Sequence, residues 1–198
     1  MLTTPEWLTL EVKYPDRMTA FYEAFLELDV VAERDGETVL AAGETDIRLR
    51  APGPVPRGGL HTHYALTVPE REYDDWYDRL DDRFDLVEHS FGDARSLYFY
   101  DPEGNCVELG ERPLPTDRSG VCGLFELVLE VEELDIELWA SRLGIADARG
   151  GVHVDIGVAA SEPRATAREI ADEALAVTSV GNGVRVRDPD GHYVTLVG

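Results

Sequence analysis

Two side chains in the first part of the chain have the types that metal chemistry needs. His63 opens the segment His63-Tyr-Ala-Leu-Thr-Val68, and Glu108 lies late in Asn105-Cys-Val-Glu-Leu-Gly110. A neutral imidazole with a carboxylate is a ligand set for Fe(II), Mn(II), Co(II), Ni(II) or Zn(II), and two protein ligands leave positions open for a substrate. The same residues could instead be a satisfied polar pair on a sheet face, with no ion between them. No GxGxxG, P-loop, GxSxG or HExxH sequence occurs, so the phosphate-cradling and nucleophile-elbow chemistries are not signalled. Cys106 and Cys122 are too few for a disulfide scaffold and belong to no CxxC or Cys/His zinc pattern.

Strand alternation must place these groups. Tyr64, Leu66 and Val68 make an apolar set, leaving His63, Ala65 and Thr67 on the opposite face. Val107 and Leu109 likewise leave Cys106 and Glu108 opposite. The pattern repeats elsewhere: Leu8, Leu10 and Val12 leave Trp7, Thr9 and Glu11; Leu127, Leu129 and Val131 leave Glu126, Val128 and Glu130; Val154, Ile156 and Val158 leave His153, Asp155 and Gly157. A sheet covered by helices on one face and curled around a polar cavity on the other accounts for this. His63 and Glu108 meet in that cavity if their strands are neighbours.

The chain repeats itself. Leu8-Thr-Leu-Glu-Val12 returns as Leu127-Val-Leu-Glu-Val131, and Asp101-Pro-Glu-Gly-Asn-Cys-Val-Glu-Leu109 returns as Asp188-Pro-Asp-Gly-His-Tyr-Val-Thr-Leu196. This divides the sequence into a complete module pair at 1–112, a linker at 113–120 and a truncated pair at 121–198. Helical spacing predicts helices over about 16–28, 70–82, 133–143 and 163–176, with Trp76 and Trp139 as core residues. Strands are expected at about 8–12, 37–42, 45–50, 62–68, 86–90, 95–100 and 105–110, then at 124–131, 152–158, 177–180, 183–187 and 192–197. The Asp-Pro-Glu-Gly-Asn segment is a hairpin turn.

Acidic residues number 40 against 18 basic, a net charge of −22, and Lys13 is the only lysine. The acids are spread through patterned segments, which reads as a halophile-type surface in a cytoplasm of high salt. At molar salt the Debye length is only about 3 Å, so stability should rise between low and molar KCl; an unchanged unfolding midpoint would count against the idea. So acidic a surface disfavours nucleic-acid backbone binding. No apolar run approaches the roughly 20 residues of a membrane span, and the basic region of a signal peptide is missing from Met-Leu-Thr-Thr-Pro-Glu-Trp7. A cytoplasmic location without membrane contact is expected.

Three segments together resemble the vicinal oxygen chelate superfamily of glyoxalases, extradiol dioxygenases and bleomycin-resistance proteins. They are Thr19-Ala-Phe-Tyr22, Gly59-Leu-His-Thr-His-Tyr-Ala-Leu-Thr-Val-Pro69 and Tyr98-Phe-Tyr-Asp-Pro-Glu-Gly-Asn-Cys-Val-Glu108. The second, with Ser90-Phe-Gly-Asp-Ala-Arg-Ser-Leu-Tyr98, looks most like the catechol 2,3-dioxygenase-related branch. The resemblance covers 5–112 well and 121–198 more loosely. It implies an α+β fold of paired βαβββ modules, with curled mixed sheets and helices on their outer faces. It also implies a divalent metal, Fe(II) or Mn(II) first and Zn(II) or Ni(II) next.

Carried over by position, the family's ligand places fall on His63 and Glu108. The equivalents elsewhere depart from the pattern: Trp7 and Arg48 in the opening module, and Glu126, His153 and Thr195 in the second half. Three arrangements stay open. His61 could complete the His63–Glu108 pair, Glu126 and His153 could form a second site with water, or the metal could be lost and the cavity kept. His89, where related dioxygenases carry a histidine, is the candidate acid or base, although a solvated strand-end histidine has the same signature. The expected function is metal-dependent chemistry on a small substrate with vicinal oxygens. The alternative is a metal-free binding protein with a pocket of Trp7, Arg48, His61 and Tyr98. A homodimer is a further expectation, since such modules often pair between chains.

Overall fold

The computed structural model describes residues 2–34, 36–53, 62–129, 154–189 and 191–198. Strand β1 (Leu2–Glu11) turns Leu8 and Leu10 fully inward, each burial contributing about 1.5–3 kcal/mol. Helix α1 (Pro15–Leu26) begins at a proline, whose missing N–H costs nothing in a first turn. It ends where Glu27 adopts a left-handed conformation, φ 54°, and returns its N–H to the Tyr22 carbonyl. Met18, Phe21, Tyr22 and Leu26 form its buried stripe.

Strands β2 (Asp29–Arg34), β3 (Glu37–Ala42) and β4 (Thr45–Arg50) complete the first module. β2 is an addition to the expected elements. It is a sheet edge with mostly exposed side chains, so it lacks the alternation that announces a half-buried strand. The second module runs β5 (Thr62–Pro69), a 3-10 turn at Glu70–Glu72, α2 (Tyr73–Asp81), β6 (Val87–Phe91), β7 (Ala94–Tyr100) and β8 (Cys106–Arg112). Trp76 is buried in α2, as its spacing predicts. β9 (Gly123–Leu129) follows. The third complete module is β10 (Val154–Ala160), α3 (Pro163–Glu169), β11 (Ala176–Val180), β12 (Gly183–Arg187) and β13 (Tyr193–Val197). α3 stops well before 176. Only Ala167 of that helix is buried, against Val184, Val186 and Leu196, while Ile170 and Leu175 stay exposed, and so short a packed face does not carry a helix further. The helix expected at 133–143, with Trp139, and the residues His61 and His153 lie outside the described residues.

Two mixed sheets result. One has eight strands in the order β11-β12-β13-β10-β1-β4-β3-β2, the other five in the order β6-β7-β8-β5-β9. In each module the first strand lies parallel to the last: β1 to β4, β5 to β8, β10 to β13. Modules then join through antiparallel first strands, β1 with β10 and β5 with β9. Each sheet therefore takes strands from both sides of residues 113–120. Leu8, Leu10, Tyr64, Leu66, Leu97 and Leu109 of the two sheets share one core cluster with the buried faces of α1 and α2. The polar strand faces point away from that core.

Two contacts hold this arrangement. Cys122 bonds through its N–H to the Thr67 carbonyl at 2.8 Å and accepts from the Glu44 N–H at 3.2 Å, which lays the incoming β9 beside β5. Gly43 makes this possible: its φ is 68°, and a Cβ there would sit 2.2 Å from the Cys122 carbonyl carbon. The second contact is the Asp101 turn. Asp101 accepts the N–H groups of Glu103 and Asn105 at 2.9 Å each, the Asn105 amide at 2.8 Å and the Tyr22 hydroxyl at 2.9 Å. Tyr22 is bonded in turn to the Tyr64 hydroxyl, and Glu103 accepts the Lys13 N–H at 3.0 Å. The turn thus ties β8 to α1 and β5. Asp188 repeats the geometry, accepting the His192 N–H at 2.8 Å.

Candidate metal centre

On the polar face of the five-stranded sheet, His63 and Glu108 meet. His63 Nε2 lies 2.9 Å from Glu108 Oε2, and both residues are buried. The register explains the meeting: β5 and β8 are parallel neighbours, with His63 opposite Cys106 and Ala65 opposite Glu108. They form part of the wall of a cavity of about 570 Å³, shared with Phe91, Ser96, Tyr98, Arg112, Phe125 and Glu126.

Burial alone would push the Glu108 carboxyl up. Hydrogen bonds from His63, Ser96 and Tyr98, with the charge of His63, outweigh it and hold the carboxyl below its ordinary value. Glu108 is thus a carboxylate at neutral pH, the form a cation requires. The Tyr98 hydroxyl is pushed well up by burial and then by Glu108, so it stays a donor. Cys106 is fully buried and its thiol is pushed up to about 12, by burial first and then by Glu108 and Asp101. Native protein treated with iodoacetamide at pH 8 is therefore expected to label at the partly exposed Cys122 and not at Cys106, read by peptide mass spectrometry. Labelling of Cys106 before unfolding would contradict its packing.

Glu126 joins this site, a placement that alternation alone did not reveal. Ala65 pairs with Glu108 on one side and with Glu126 on the other, so the two glutamates flank a small residue with His63 two positions along. The Glu126 side chain is exposed towards the cavity. The three groups do not converge closely, and among the described residues no three His, Cys, Asp or Glu side chains form a metal cluster. The signal for Glu126 lay in the internal repeat, which aligns it with Trp7; its partner strand was the missing fact. His89 sits on β6 opposite Ser96, on the cavity side, with its ring 5.4 Å from that of Tyr98 in an edge-on arrangement.

Trp7 and Arg48 are not brought to this cavity. They lie on the eight-stranded sheet, with Arg48 stacked 3.9 Å from the Trp7 ring centroid and bonded to Asp46 at 3.4 Å. The ring covers Gly157, where a Cβ would come within 2.2 Å of it. Beside them Arg50 pairs with Glu11 and Glu37, each at 3.3 Å. Asp155, fully buried, binds Arg185 at 2.5 Å and accepts from Thr195 at 2.7 Å. Of the residues that the resemblance aligns with ligand places, Trp7 and Arg48 are thus engaged in stacking and an ion pair on this sheet, and Thr195 donates to Asp155.

The description Glyoxalase/Bleomycin resistance protein/Dioxygenase superfamily matches residues 4–109, which span the first two modules including His63 and Glu108. The chain belongs to that superfamily. Among superfamily relatives, metallothiol transferase FosB of Staphylococcus saprophyticus is 28% identical over 116 residues, covering 55% of this chain and 77% of FosB. The FosB of Staphylococcus epidermidis is 27% identical over 96 residues, covering 45% and 68%. A solved structure from Bacillus subtilis, of a protein proposed to be a dioxygenase, superposes with a TM-score of 0.68 at 18% identity, covering 98% of this chain and 84% of that one. That likeness is one of fold alone.

Proposed function

We propose that this protein is a metal-dependent enzyme in which His63, Glu108 and Glu126 hold a divalent ion, and that it acts on a small substrate presenting two adjacent oxygens. The observation that carries the reading is the buried Glu108 side chain held 2.9 Å from His63 in the wall of a cavity with apolar flanks. Imidazole and carboxylate donors suit Fe(II) or Mn(II) first, with Zn(II) or Ni(II) as further candidates. When bound, the ion supplies Lewis acidity to the oxygens it chelates. The chain's own groups do the rest. Tyr98 donates a hydrogen bond towards the site, Phe91 and Phe125 line its flanks, and His89, its ring beside that of Tyr98, is the group to move a proton.

The test is elemental mass spectrometry of protein purified in molar KCl without chelator, wild type against His63→Ala. Near-stoichiometric metal lost in the variant supports the centre and justifies screening catechols, hemithioacetals and, following the name of the FosB relatives, thiol transfer. A metal-free wild type after reconstitution would sink it. The second reading, a metal-free binding protein, is favoured by the failure of three ligating groups to converge among the described residues. Ligand binding without turnover in metal-free protein would support that reading.

A further inference from the structure

The far end of the cavity carries a cation that the His63–Glu108 pair does not use. Glu108, Gly110 and Arg112 alternate onto one face of β8, which puts Arg112 about 13 Å along the strand from Glu108. The Arg112 guanidinium stacks 4.2 Å from the Phe125 ring centroid, and that ring lies over Gly110, where a Cβ would come within 2.8 Å of it. One Arg112 N–H donates to the Glu111 carbonyl at 2.8 Å. The Glu111 side chain faces the other way and binds Arg95 through both oxygens, each at 3.0 Å. Arg112 is thereby left without a carboxylate partner among the described residues, in a chain with 40 acids for 18 bases.

We infer that Arg112 anchors an anionic group of the substrate. The ligand class is a small molecule with a flat, apolar body, its carboxylate on Arg112 and its oxygen pair directed to His63 and Glu108. A stacked guanidinium offers its donor fork already oriented, so little freedom is lost on binding a carboxylate. Phe91 and Phe125 flank the space between, and the carboxylates of Glu108 and Glu126 at the other end repel an anion placed the wrong way round. The position of the oxygen pair rests on the proposed metal centre, whereas the anion anchor does not.

Calorimetry separates the two. On metal-free protein, phenylacetate is expected to bind wild type and to bind Arg112→Gln at least about tenfold more weakly, because a charge-assisted bond is lost. Uncharged 2-phenylethanol should bind both proteins equally, and Arg112→Lys should fall between for phenylacetate. Equal phenylacetate affinity in wild type and Arg112→Gln, or no preference of wild type for the acid over the alcohol, overturns the inference. On metal-loaded protein, 3,4-dihydroxyphenylacetate should outbind 4-methylcatechol only when Arg112 is present. An Arg112-dependent preference for phenylacetate with no gain from metal for either catechol leaves the anchor standing and removes the metal reading alone.

Discussion

Glu108→Gln is expected to lower divalent-metal affinity by more than about a hundredfold, since loss of an outer-sphere partner alone costs roughly 10–100-fold. The substitution keeps the shape of the side chain and its capacity to bond Ser96 and Tyr98, but removes the charge. Stability of the metal-free protein should therefore change little, which isolates the electrostatic role. Glu108→Ala should lose the metal and in addition destabilise the fold, because His63, Ser96 and Tyr98 would lose a buried acceptor. Glu126→Ala should weaken binding less, as its exposed side chain must first be ordered against the ion. Arg48→Ala, on the eight-stranded sheet, should leave metal affinity untouched. Competition titration against a chromophoric chelator reads all four variants. Wild-type affinity in Glu108→Gln would take that residue out of the ligand set, and the centre with it.

Asp101→Ala should cost about 3–5 kcal/mol of stability, among the largest effects of any single change outside the candidate site. The carboxylate is 5% exposed and holds two backbone N–H groups, the Asn105 amide and the Tyr22 hydroxyl. Alanine strands all four in a place that water does not reach. Urea unfolding of wild type and variant measures the difference, and a loss below about 1 kcal/mol would mean that the turn holds without its hub. The pH dependence has a definite sign. Burial raises the Asp101 carboxyl above its ordinary value, against the pull of its hydrogen bonds. The folded state then binds a proton more tightly than the unfolded one, so the contribution of Asp101 is greatest below the unfolded carboxylate range and shrinks as pH rises through the native value. The stability gap between wild type and Asp101→Ala should accordingly widen on acidification.

Asp101 also shows how a motif becomes physics. The Asp-Pro-Glu-Gly-Asn segment reads as a turn because its residues bond their own backbone. What it braces, Tyr22 of the Thr19-Ala-Phe-Tyr22 helix and Tyr64 beside His63, appears only when three distant segments pack.

Alternation with period two was enough to put His63 and Glu108 on a polar face and their apolar neighbours in the core, since in-out placement along a strand is decided by adjacent residues. The same local logic located most strands and the buried stripes of α1 and α2. It was silent on β2, whose edge position exposes most of its side chains, and it overran α3, beyond which Ile170 and Leu175 stay exposed. Strand partnership is another kind of fact. Whether β9 pairs inside its own half or crosses to β5 is decided by the close passage of Cys122 over Gly43 and by the burial that follows. That choice carries Glu126 and Phe125 to the cavity of His63 and Glu108, and Phe125 in turn stacks Arg112. It also leaves Trp7 and Arg48 on the other sheet, among ion pairs. The local chain determined which faces are polar; the packing of segments some 60 residues apart decided which polar faces meet.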